Sequence, residues 1–568
     1  MHPSQFSKFA ATLALLVALF TSLAAAQLQI GSSNTALVEA PIPHPDTTPC
    51  TVTLYSQYKF DNYNSHPFTY TPPADCPGPW AAVILSADFS VTEGVQYDRT
   101  ANIWIGPTNI YFGTTSEPQP GVARHWHVER DLTDYSSIFQ KAQDGTVDLG
   151  NTVNSTYNGV LFGTATVDFY PLAPNQIKPD QPEVIGFSAG SSGGTVGLSN
   201  PTSLLEQTLT LPTNITGAYL DVFAQGQYDD EFWYTCVPNT LVNELESCGG
   251  TAFRESEITI DGNPAGVAPV YPWIFTGGID PDLWIPIPGV QTMNFKPYRV
   301  NLTPFASVLD DGTPHTIALS VFNDDNYFSA TANLLLYLDA NATQVTGALT
   351  ENTLAVPTPT ITENLHTGST GNVNGTVHTV ASHNFRISGY INTSEGPATT
   401  TVAQDINFSN LQSFKVPEDG ASYVQNIKQD TTIKSIVTTQ NAGGTFRDTV
   451  NYNWPLTVDI TAIYNSNGTA VQTTAINQYF ERDQEDTRNG QPTFFSLVEN
   501  RVTPTDTLDL LVSPCCTITG NENQSSAQNF YASDSSGYCY SQNLTAANNV
   551  LTGITNGTRC TGTAAVTK

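Results

Sequence analysis

The sequence has few basic residues. Of its 568 residues only 20 are Lys or Arg, against 51 Asp or Glu, and the formal net charge is −31 with a pI near 4.3. Because a surface of that sign repels nucleic acid and anionic membranes, we expect neither as a partner. An uncharged partner meets no such repulsion. The acidity is also typical of a protein that works at low pH, where many carboxyl groups are neutral.

Helix-forming stretches and long apolar runs are also scarce. Charged residues make up 12% of the chain, and runs of Ala, Leu, Glu and Lys are missing, while Thr, Asn, Gly, Pro and Tyr are abundant. This composition predicts an all-β protein with many turns. After residue 23 no apolar run is long enough to span a bilayer, so no membrane is expected. The length allows about three or four domains.

The N-terminus has the layout of an export signal. Lys8 is followed by the apolar run Phe9–Leu23 and by the small residues Ala24–Ala26. This order is typical of a secretory signal peptide, so residues 1–26 are predicted to be removed and the mature chain to begin near Gln27. Roughly eleven Asn-x-Ser/Thr sequons agree with that route. We therefore expect a secreted, extracellular glycoprotein.

The eight cysteines lie in local clusters. These clusters are Cys50 with Cys76, Cys236 with Cys248, and the last four, Cys515, Cys516, Cys539 and Cys560. Four disulfides within the clusters are predicted, and three pairings stay open for the last four. No spacing resembles a zinc site, so we expect neither a metal nor an organic cofactor. No cysteine is left over to act as a catalytic thiol.

Turn-rich segments divide the chain into three units. The segment 172–196 is rich in Pro, Gly and Ser, and a Pro/Thr-rich joint begins at Leu354. Between such segments, apolar residues recur at every second position, which indicates strands. The predicted β-rich units are residues 27–175, 176–346 and 347–568. The third shows no chemical constellation.

Three acids stand together at Asp229, Asp230 and Glu231, directly before a Phe-Trp-Tyr run. Carboxylates beside aromatic rings are suited to holding a sugar and to acid–base chemistry on it. The alternative is an acidic turn before a core strand, which is the common fate of exposed charges. Arg254 falls on the inward face of a predicted strand and needs a carboxylate partner there. We expect the acidic triplet to supply it.

A second candidate surface lies in Gln96–Gly106, which is predicted to be a strand. On the strand period Asp98 and Trp104 share the face opposite the apolar core residues. An acid and a tryptophan on one non-core face form a candidate binding surface. The alternative is a half-solvated strand that carries an ordinary surface Asp.

An ordered succession of motifs resembles one enzyme family. The acidic and aromatic run is followed by Phe253-Arg-Glu-Ser-Glu-Ile-Thr-Ile-Asp-Gly-Asn-Pro and by Phe275-Thr-Gly-Gly-Ile-Asp-Pro-Asp-Leu-Trp. With Gln96-Tyr-Asp-Arg and Ser116-Glu-Pro upstream, it is similar to the plant and fungal acidic peptide:N-glycanases, peptide-N4-(N-acetyl-β-glucosaminyl)asparagine amidase A. The resemblance covers most of the mature chain. It implies hydrolysis of the amide between Asn and the innermost GlcNAc of N-glycosylated peptides or proteins, giving Asp and a glycosylamine.

A second resemblance concerns mechanism. Tyr97-Asp-Arg-Thr-Ala-Asn-Ile-Trp is similar to the Trp-Asp-Arg-Tyr-Ala-Asn-Val-Tyr segment of the flavobacterial-type peptide:N-glycanase, whose Asp is the primary catalytic residue. This implies a catalytic Asp98 and two adjacent jelly-roll-like β-sandwiches with the site between them, ahead of a further β-rich C-terminal domain. The second essential glutamate of that enzyme precedes a Phe-Arg pair. Here Gly249–Ala252 contain no acid, so Glu231 or Asp230 is expected to supply the second carboxylate.

These resemblances and the chemistry of amide hydrolysis assign roles to single residues. Asp98 would act on the leaving nitrogen or the attacking water, Glu231 with Asp230 would complete the acid–base pair, and crowding of these acids would favour an acidic pH optimum. Arg254 would hold a carboxylate or the developing oxyanion. The expected substrate-binding residues are Arg99, Trp104, Trp233, Tyr234 and Trp273, the tryptophans by stacking on sugar rings. The rival functions are an endo-β-N-acetylglucosaminidase-like glycosidase and a non-catalytic secreted carbohydrate-binding protein.

Overall fold

The computed structural model describes residues 28–369, 372–417, 420–512 and 517–560. The predicted signal peptide, residues 1–26, lies outside the described residues. Within them strands dominate, and the longest helix has eight residues, Thr133–Gln140. The other short helices are Tyr228–Asp230, Trp233–Thr235, Val242–Leu245, Pro281–Trp284, Thr303–Phe305 and Ala306–Leu309. The all-β prediction is therefore confirmed. No helix in the described part of the chain is long and apolar enough to cross a membrane.

The first unit is a sandwich of two four-stranded antiparallel sheets. Its strands are β1 (Cys50–Phe60), β2 (His66–Tyr70), β3 (Trp80–Val91), β4 (Thr100–Ile105), β5 (Thr108–Thr114), β6 (Arg124–Asp131), β7 (Gln143–Leu149) and β8 (Leu161–Pro171). One sheet has the order β1-β8-β3-β6 and the other β2-β7-β4-β5. This is the order of an eight-stranded jelly roll, built from two Greek keys. Residues such as Leu85, Ile103 and Val167 fill the space between the sheets.

The second unit repeats the same strand order. Its strands are β9 (Glu183–Phe187), β10 (Val196–Leu198), β11 (Leu205–Leu209), β12 (Ile215–Gln227), β13 (Glu255–Ile260), β14 (Asn263–Pro269), β15 (Tyr298–Asn301), β16 (His315–Phe322) and β17 (Tyr327–Leu338). β9 and β10 pair with successive parts of β17, so together they occupy the place of a single first strand. The sheets are then β9/β10-β17-β12-β15 and β11-β16-β13-β14. Two jelly rolls therefore follow one another, as expected.

The C-terminal unit is one very large antiparallel sheet. Its strands are β18 (Thr346–Asn352), β19 (Thr360–Thr367), β20 (Val373–Thr393), β21 (Gly396–Val416), β22 (Ser422–Asn441), β23 (Gly444–Asn453), β24 (Leu456–Tyr464), β25 (Thr469–Arg488), β26 (Gln491–Leu511), β27 (Thr517–Asp534), β28 (Cys539–Ala547) and β29 (Val550–Asn556). The main path runs β18-β20-β21-β22-β23-β25-β26-β27-β28-β29, with β19 beside β20 and β24 between β22 and β25.

This sheet is a layer over the second sandwich rather than a unit with a core of its own. A single sheet can bury an apolar face only against another layer. Phe385, Ile406 and Phe408 of the sheet belong to the same apolar cluster as the core of the second sandwich. The rings of Phe253 and Phe408, for example, lie 5.2 Å apart. The C-terminal sheet therefore covers one side of the second sandwich, and the sequence alone did not predict this contact.

The two sandwiches meet through buried polar contacts. Tyr135 Oη donates to Asp221 Oδ2 at 2.8 Å, and Tyr111 Oη donates to the Met293 carbonyl at 2.7 Å. Asn333 Nδ2 donates to the Asn109 carbonyl at 2.9 Å. Because buried polar groups are costly unless they are paired, these bonds fix one relative position of the two units. The interface therefore provides a rigid base for a site built from both.

Each of the three predicted cysteine clusters contains a disulfide. The pairs are Cys50 with Cys76, Cys236 with Cys248, and Cys539 with Cys560. Of the last four cysteines, the two that the structure describes, Cys539 and Cys560, pair with each other. Cys515 and Cys516 lie outside the described residues.

Candidate active site

Asp98 and Glu117 lie at the same end of the β4–β5 hairpin. Asp98 precedes β4 and Glu117 follows β5, and the two strands are hydrogen-bonded neighbours. The Asp98 amide donates to Glu117 Oε1 at 3.1 Å. Next to them two hydrogen bonds join Arg99 and Thr115: the Arg99 amide donates to Thr115 Oγ1, and the Thr115 amide donates to the Arg99 carbonyl, each at 2.9 Å. The hairpin thus brings together two acids that are nineteen positions apart in the sequence.

The second sandwich closes on this pair with Gly277. The Gly277 amide donates to the Asp98 carboxylate. A Cβ at this position would lie 2.5 Å from Asp98 Oδ1 and 2.5 Å from Glu117 Oε1. Real Cβ atoms do not approach other atoms so closely, so only glycine allows this segment to touch both carboxyl groups. Thr276 Oγ1 also donates to the Thr115 carbonyl, which holds the segment against the hairpin.

Glu231 of the acidic triplet lies near enough to Asp98 for the Asp98 charge to act on it, and we call Asp98, Glu117 and Glu231 the carboxyl cluster. Glu231 is half-buried, and burial raises its pKa to about 8, with a further contribution from the Asp98 charge. Burial likewise raises the pKa of Glu117 well above its usual range, and Asp98 adds to the effect. The pKa of Asp98 is raised by burial but is opposed by the Gly277 amide and by Arg99. At mildly acidic pH Glu117 and Glu231 are therefore protonated. Asp98 is the acid of the cluster whose ionised form is stabilised by an amide and a cation.

Asp230 and Arg254 form a structural pair rather than a catalytic one. Arg254 Nε and Nη2 donate to Asp230 Oδ1 at 2.9 and 2.8 Å, and neither side chain is exposed. Asp230 Oδ2 accepts the amides of Asp325, Asn326 and Tyr327 at 3.0, 2.7 and 3.0 Å. Arg254 does take a carboxylate partner from the acidic triplet, as expected. Of the two roles predicted for Arg254, the structure shows the holding of a carboxylate and not contact with an oxyanion, and it places Asp230 where a side chain without exposure has no contact with a substrate.

The aromatic residues predicted to bind substrate are also buried. Trp104 is 0% exposed, Trp233 is 3% exposed and Tyr234 is 0% exposed, so none of them can stack on a sugar. The face of β4 that carries Trp104 is buried because the second sandwich covers it, with Gly193 directly over the indole. Trp273 is nearly buried too, and it lines a cavity of about 660 Å³ between the second sandwich and the C-terminal sheet. These stacking predictions are therefore corrected.

Tyr97 is the aromatic side chain that the structure exposes beside Asp98. Its exposed fraction is 54%, and its ring centroid lies 5.2 Å from that of Tyr157. A hydrogen bond with Tyr157, burial and the nearby Glu117 all raise the pKa of Tyr97. Its signal in the sequence is its position directly before Asp98, where the similar bacterial segment has Trp. The strand period instead predicts Trp104 for this role, because it places Trp104 on the same face as Asp98.

Arg99, a predicted substrate-binding residue, carries an unused donor at the site. Its Nη2 donates to Gln96 Oε1 at 2.9 Å. Its Nε is buried and has no hydrogen-bond partner among the residues that the structure describes. A buried donor without a partner is costly, and because this atom has no exposed surface, Arg99 acts on the site through its charge, which favours the ionised form of Asp98. Within the same residues no group of three or more His, Cys, Asp or Glu side chains is arranged to hold a metal ion.

Glu117 is the functional candidate that the sequence prediction missed. Its Ser116-Glu-Pro motif was among the matched segments, but no role was given to it. The two strands of the β4–β5 hairpin are paired, so Glu117 lies next to Asp98 although the two acids are far apart in the sequence.

Comparison with known proteins relates the chain to N-glycan amidases. Residues 40–355 match the family model described as peptide N-acetyl-beta-D-glucosaminyl asparaginase amidase A. The peptide-N4-(N-acetyl-beta-glucosaminyl)asparagine amidase A of Prunus dulcis is 31% identical over 416 residues, which cover 69% of this chain and 71% of that protein.

Among solved structures, the glycosylasparaginase PNGase F of Flavobacterium meningosepticum is similar with a TM-score of 0.34 and 16% identity. The match covers 51% of this chain and 96% of that one. PNGF-II has a TM-score of 0.36 and 11% identity, over 51% of this chain and 66% of that one. The family match and the Prunus dulcis relative give the assignment: the chain belongs to the peptide N-acetyl-β-D-glucosaminyl asparaginase amidase A family.

Proposed function

We propose that this protein is a secreted amidase that cleaves the bond between Asn and the innermost GlcNAc of N-glycans on peptides or proteins. The products are Asp in the polypeptide and a glycosylamine. The observation that carries the proposal is the carboxyl cluster of Asp98, Glu117 and Glu231, to which both sandwiches contribute beside the exposed ring of Tyr97. Family membership supports the amidase activity itself. The signal-like N-terminus supports secretion.

Amide hydrolysis needs a base and an acid at opposite ends of the reacting bond. An amide nitrogen leaves only once it is protonated, and water attacks the carbonyl carbon more readily as it loses a proton. Asp98 fits the base, because the Gly277 amide and Arg99 favour its carboxylate form. Glu231 fits the acid, because its pKa of about 8 keeps it protonated at acidic and neutral pH. Glu117 accepts the Asp98 amide and so fixes where the base lies.

The substrate must also be held and its developing charge stabilised. The attacked carbonyl oxygen becomes an oxyanion, and the positive charge of Arg99, which also favours ionised Asp98, is suited to stabilising it. The exposed ring of Tyr97 offers a flat apolar surface for the first sugar. The carbonyl carbon would then lie between Asp98 and Arg99. This arrangement uses no metal ion.

The decisive experiment incubates the purified protein with an N-glycopeptide at mildly acidic pH and reads the peptide by mass spectrometry. We expect release of the whole glycan with conversion of Asn to Asp. A peptide that keeps one GlcNAc would identify an endoglycosidase, and an unchanged glycopeptide that nevertheless binds would identify a carbohydrate-binding protein. The variant Asp98→Asn should lose the activity while its melting temperature stays close to that of the wild type. Activity near the wild-type level in this variant would overturn the assignment of the base.

A further inference from the structure

The C-terminal sheet holds the segment that carries Gly277. Gln478 of β25 reaches both ends of this segment: its Nε2 donates to the Pro272 carbonyl at 2.7 Å and its Oε1 accepts the Val290 amide at 2.8 Å. Gln524 of β27 donates to the Ile285 carbonyl at 2.9 Å. Both glutamines are buried, and both side-chain amide nitrogens donate to the segment of the second sandwich. We call residues 272–290 the clamped segment.

Asp282, within the clamped segment, is the point where all three units meet. Its Oδ2 accepts Asn521 Nδ2 of β27 at 2.9 Å. Its Oδ1 accepts Gln119 Nε2 of the first sandwich at 3.0 Å and Asn549 Nδ2 of the C-terminal sheet at 3.4 Å. The residue is 7% exposed, so these bonds replace solvent almost completely. A buried carboxylate with three side-chain donors has little freedom to move.

From Gln119 the contacts lead to Glu117. Gln119 Oε1 accepts Arg124 Nη2 at 3.0 Å, and Arg124 Nε donates to the Glu117 carbonyl at 3.4 Å. Arg124 is 0% exposed. Two routes therefore connect the C-terminal sheet to the carboxyl cluster: through the clamped segment to Gly277, and through Asp282 and Gln119 to Glu117.

We propose that Asp282 is a positioning residue for Glu117, and that the C-terminal sheet acts in catalysis by holding Asp282 through Asn521. The inference rests on the proposed amidase function and gives the C-terminal sheet a role in it. The sheet contributes no side chain to the carboxyl cluster. It fixes the turn between β5 and β6, which carries Glu117, relative to Gly277 of the second sandwich. An error of about 1 Å in such a position can reduce a rate by roughly 100-fold.

Electrostatics provides a readout that a purely structural role would not change. The Asp282 charge is one of the causes that raise the pKa of Glu117, after burial and Asp98. The other charged groups that face Asp282 are Asp280 in its own segment, Asp506 on β26 and Arg124 in the first sandwich. Removing the Asp282 charge should therefore lower the pKa of Glu117. A protonated Glu117 donates a hydrogen bond that lowers the pKa of Asp98, so a Glu117 that ionises at lower pH loses this effect. The acidic limb of the pH–rate profile, which Asp98 sets, should therefore move to higher pH.

The test compares three variants of the full chain on a glycopeptide substrate. Asn521→Ala keeps the Asp282 charge but removes its closest donor, and Asp282→Asn removes the charge. Asn529→Ala, at an exposed position of the same strand β27, is the matched control. We expect a roughly tenfold or larger fall in kcat with a smaller change in KM for the first two. Only Asp282→Asn should also shift the pH profile, and the control should match the wild type.

The possible results separate the two hypotheses. If the wild type does not release glycans, the proposed function fails. If the wild type is active and both Asn521→Ala and Asp282→Asn keep its kcat and pH profile, the positioning role is overturned. It is equally overturned if these variants lose only melting temperature while the folded fraction keeps full kcat. Because Asn521→Ala removes a partly buried amide without burying a charge, it serves as the folded variant should Asp282→Asn fail to fold.

Discussion

Gly277→Ala provides a direct test of the site, because the added methyl group enters the space between two carboxyl groups. The φ angle of Gly277 lies outside the left-handed region, so alanine meets no backbone strain there. The new Cβ would lie 2.5 Å from both Asp98 Oδ1 and Glu117 Oε1, whereas ordinary contacts begin at 3.4 Å. One or both carboxyl groups, or the clamped segment, must therefore retreat by about 0.9 Å, which is 3.4 minus 2.5.

The size of the effect follows from that displacement. A shift of roughly 1 Å in a reacting group can cost about 100-fold in rate, which corresponds to ~2.7 kcal/mol of activation free energy. The variant should also lose the amide contact that favours ionised Asp98, because the segment moves away. We expect kcat and kcat/KM to fall together by about 100-fold, since the change affects the reacting groups more than the sugar contacts.

The assay is steady-state release of glycan from a glycopeptide, with melting temperatures measured alongside. Gly190→Ala is the matched control, because the nearest atom to its new Cβ is 3.9 Å away and its φ is also outside the left-handed region. The control should keep wild-type kinetics. If Gly277→Ala is folded and its kcat/KM stays within about twofold of the control, the contact among Gly277, Asp98 and Glu117 is not part of the active site.

Three further predictions follow from the same contacts. Arg254→Leu leaves the Asp230 carboxylate buried without its cation and should cost about 3–5 kcal/mol in urea unfolding; a loss below about 1 kcal/mol would contradict the structural role. Burial raises the pKa of Asp280 to about 9, with the Asp506 charge adding to it, and burial raises the pKa of Asp506 to about 6, with the Asp282 charge adding to it. The folded state therefore keeps protons that the unfolded state loses above pH ~4, up to pH ~6 for Asp506 and pH ~9 for Asp280. The free energy of unfolding should therefore fall with rising pH, by ~1.4 kcal/mol per pH unit for each such carboxyl, and less steeply in Asp506→Asn; identical slopes would refute this. Tyr97→Ala should raise KM for glycopeptides about fivefold, near 1 kcal/mol, with kcat nearly unchanged, and an unaltered KM would exclude stacking on this ring.

The pH dependence of activity can be stated from the same groups. Glu231 acts as an acid only while protonated, so the rate should fall as pH rises through about 8. Asp98 acts as a base only while ionised, so the rate should also fall at low pH, below the raised pKa of Asp98. A bell-shaped profile measured on the wild type checks both limbs. Glu231→Gln should remove most of the activity, and a variant that keeps the alkaline limb would show that another group causes it.

The sequence by itself determined the fold class and the family. Alternation of apolar residues at every second position, frequent turns and scarce helix formers are local properties, and strands follow from them without knowledge of the partners. The motif order likewise pointed to Asp98 and Glu231, and chain order kept Cys50 near Cys76 and Cys236 near Cys248. Each of these features depends on residues close together in the sequence.

Only the tertiary structure decided which side chains reach the site. Within one acidic turn Asp230 points inward to Arg254, while Glu231 lies where the Asp98 charge acts on it. Both side chains are carboxylic acids, so the sequence does not reveal which of them faces the site. Trp104 lies on the non-core face of its strand, yet the second sandwich buries it. Glu117 joins Asp98 through strand pairing across the β4–β5 hairpin. Periodicity assigns residues to faces, but what covers a face depends on long-range packing that no local pattern encodes.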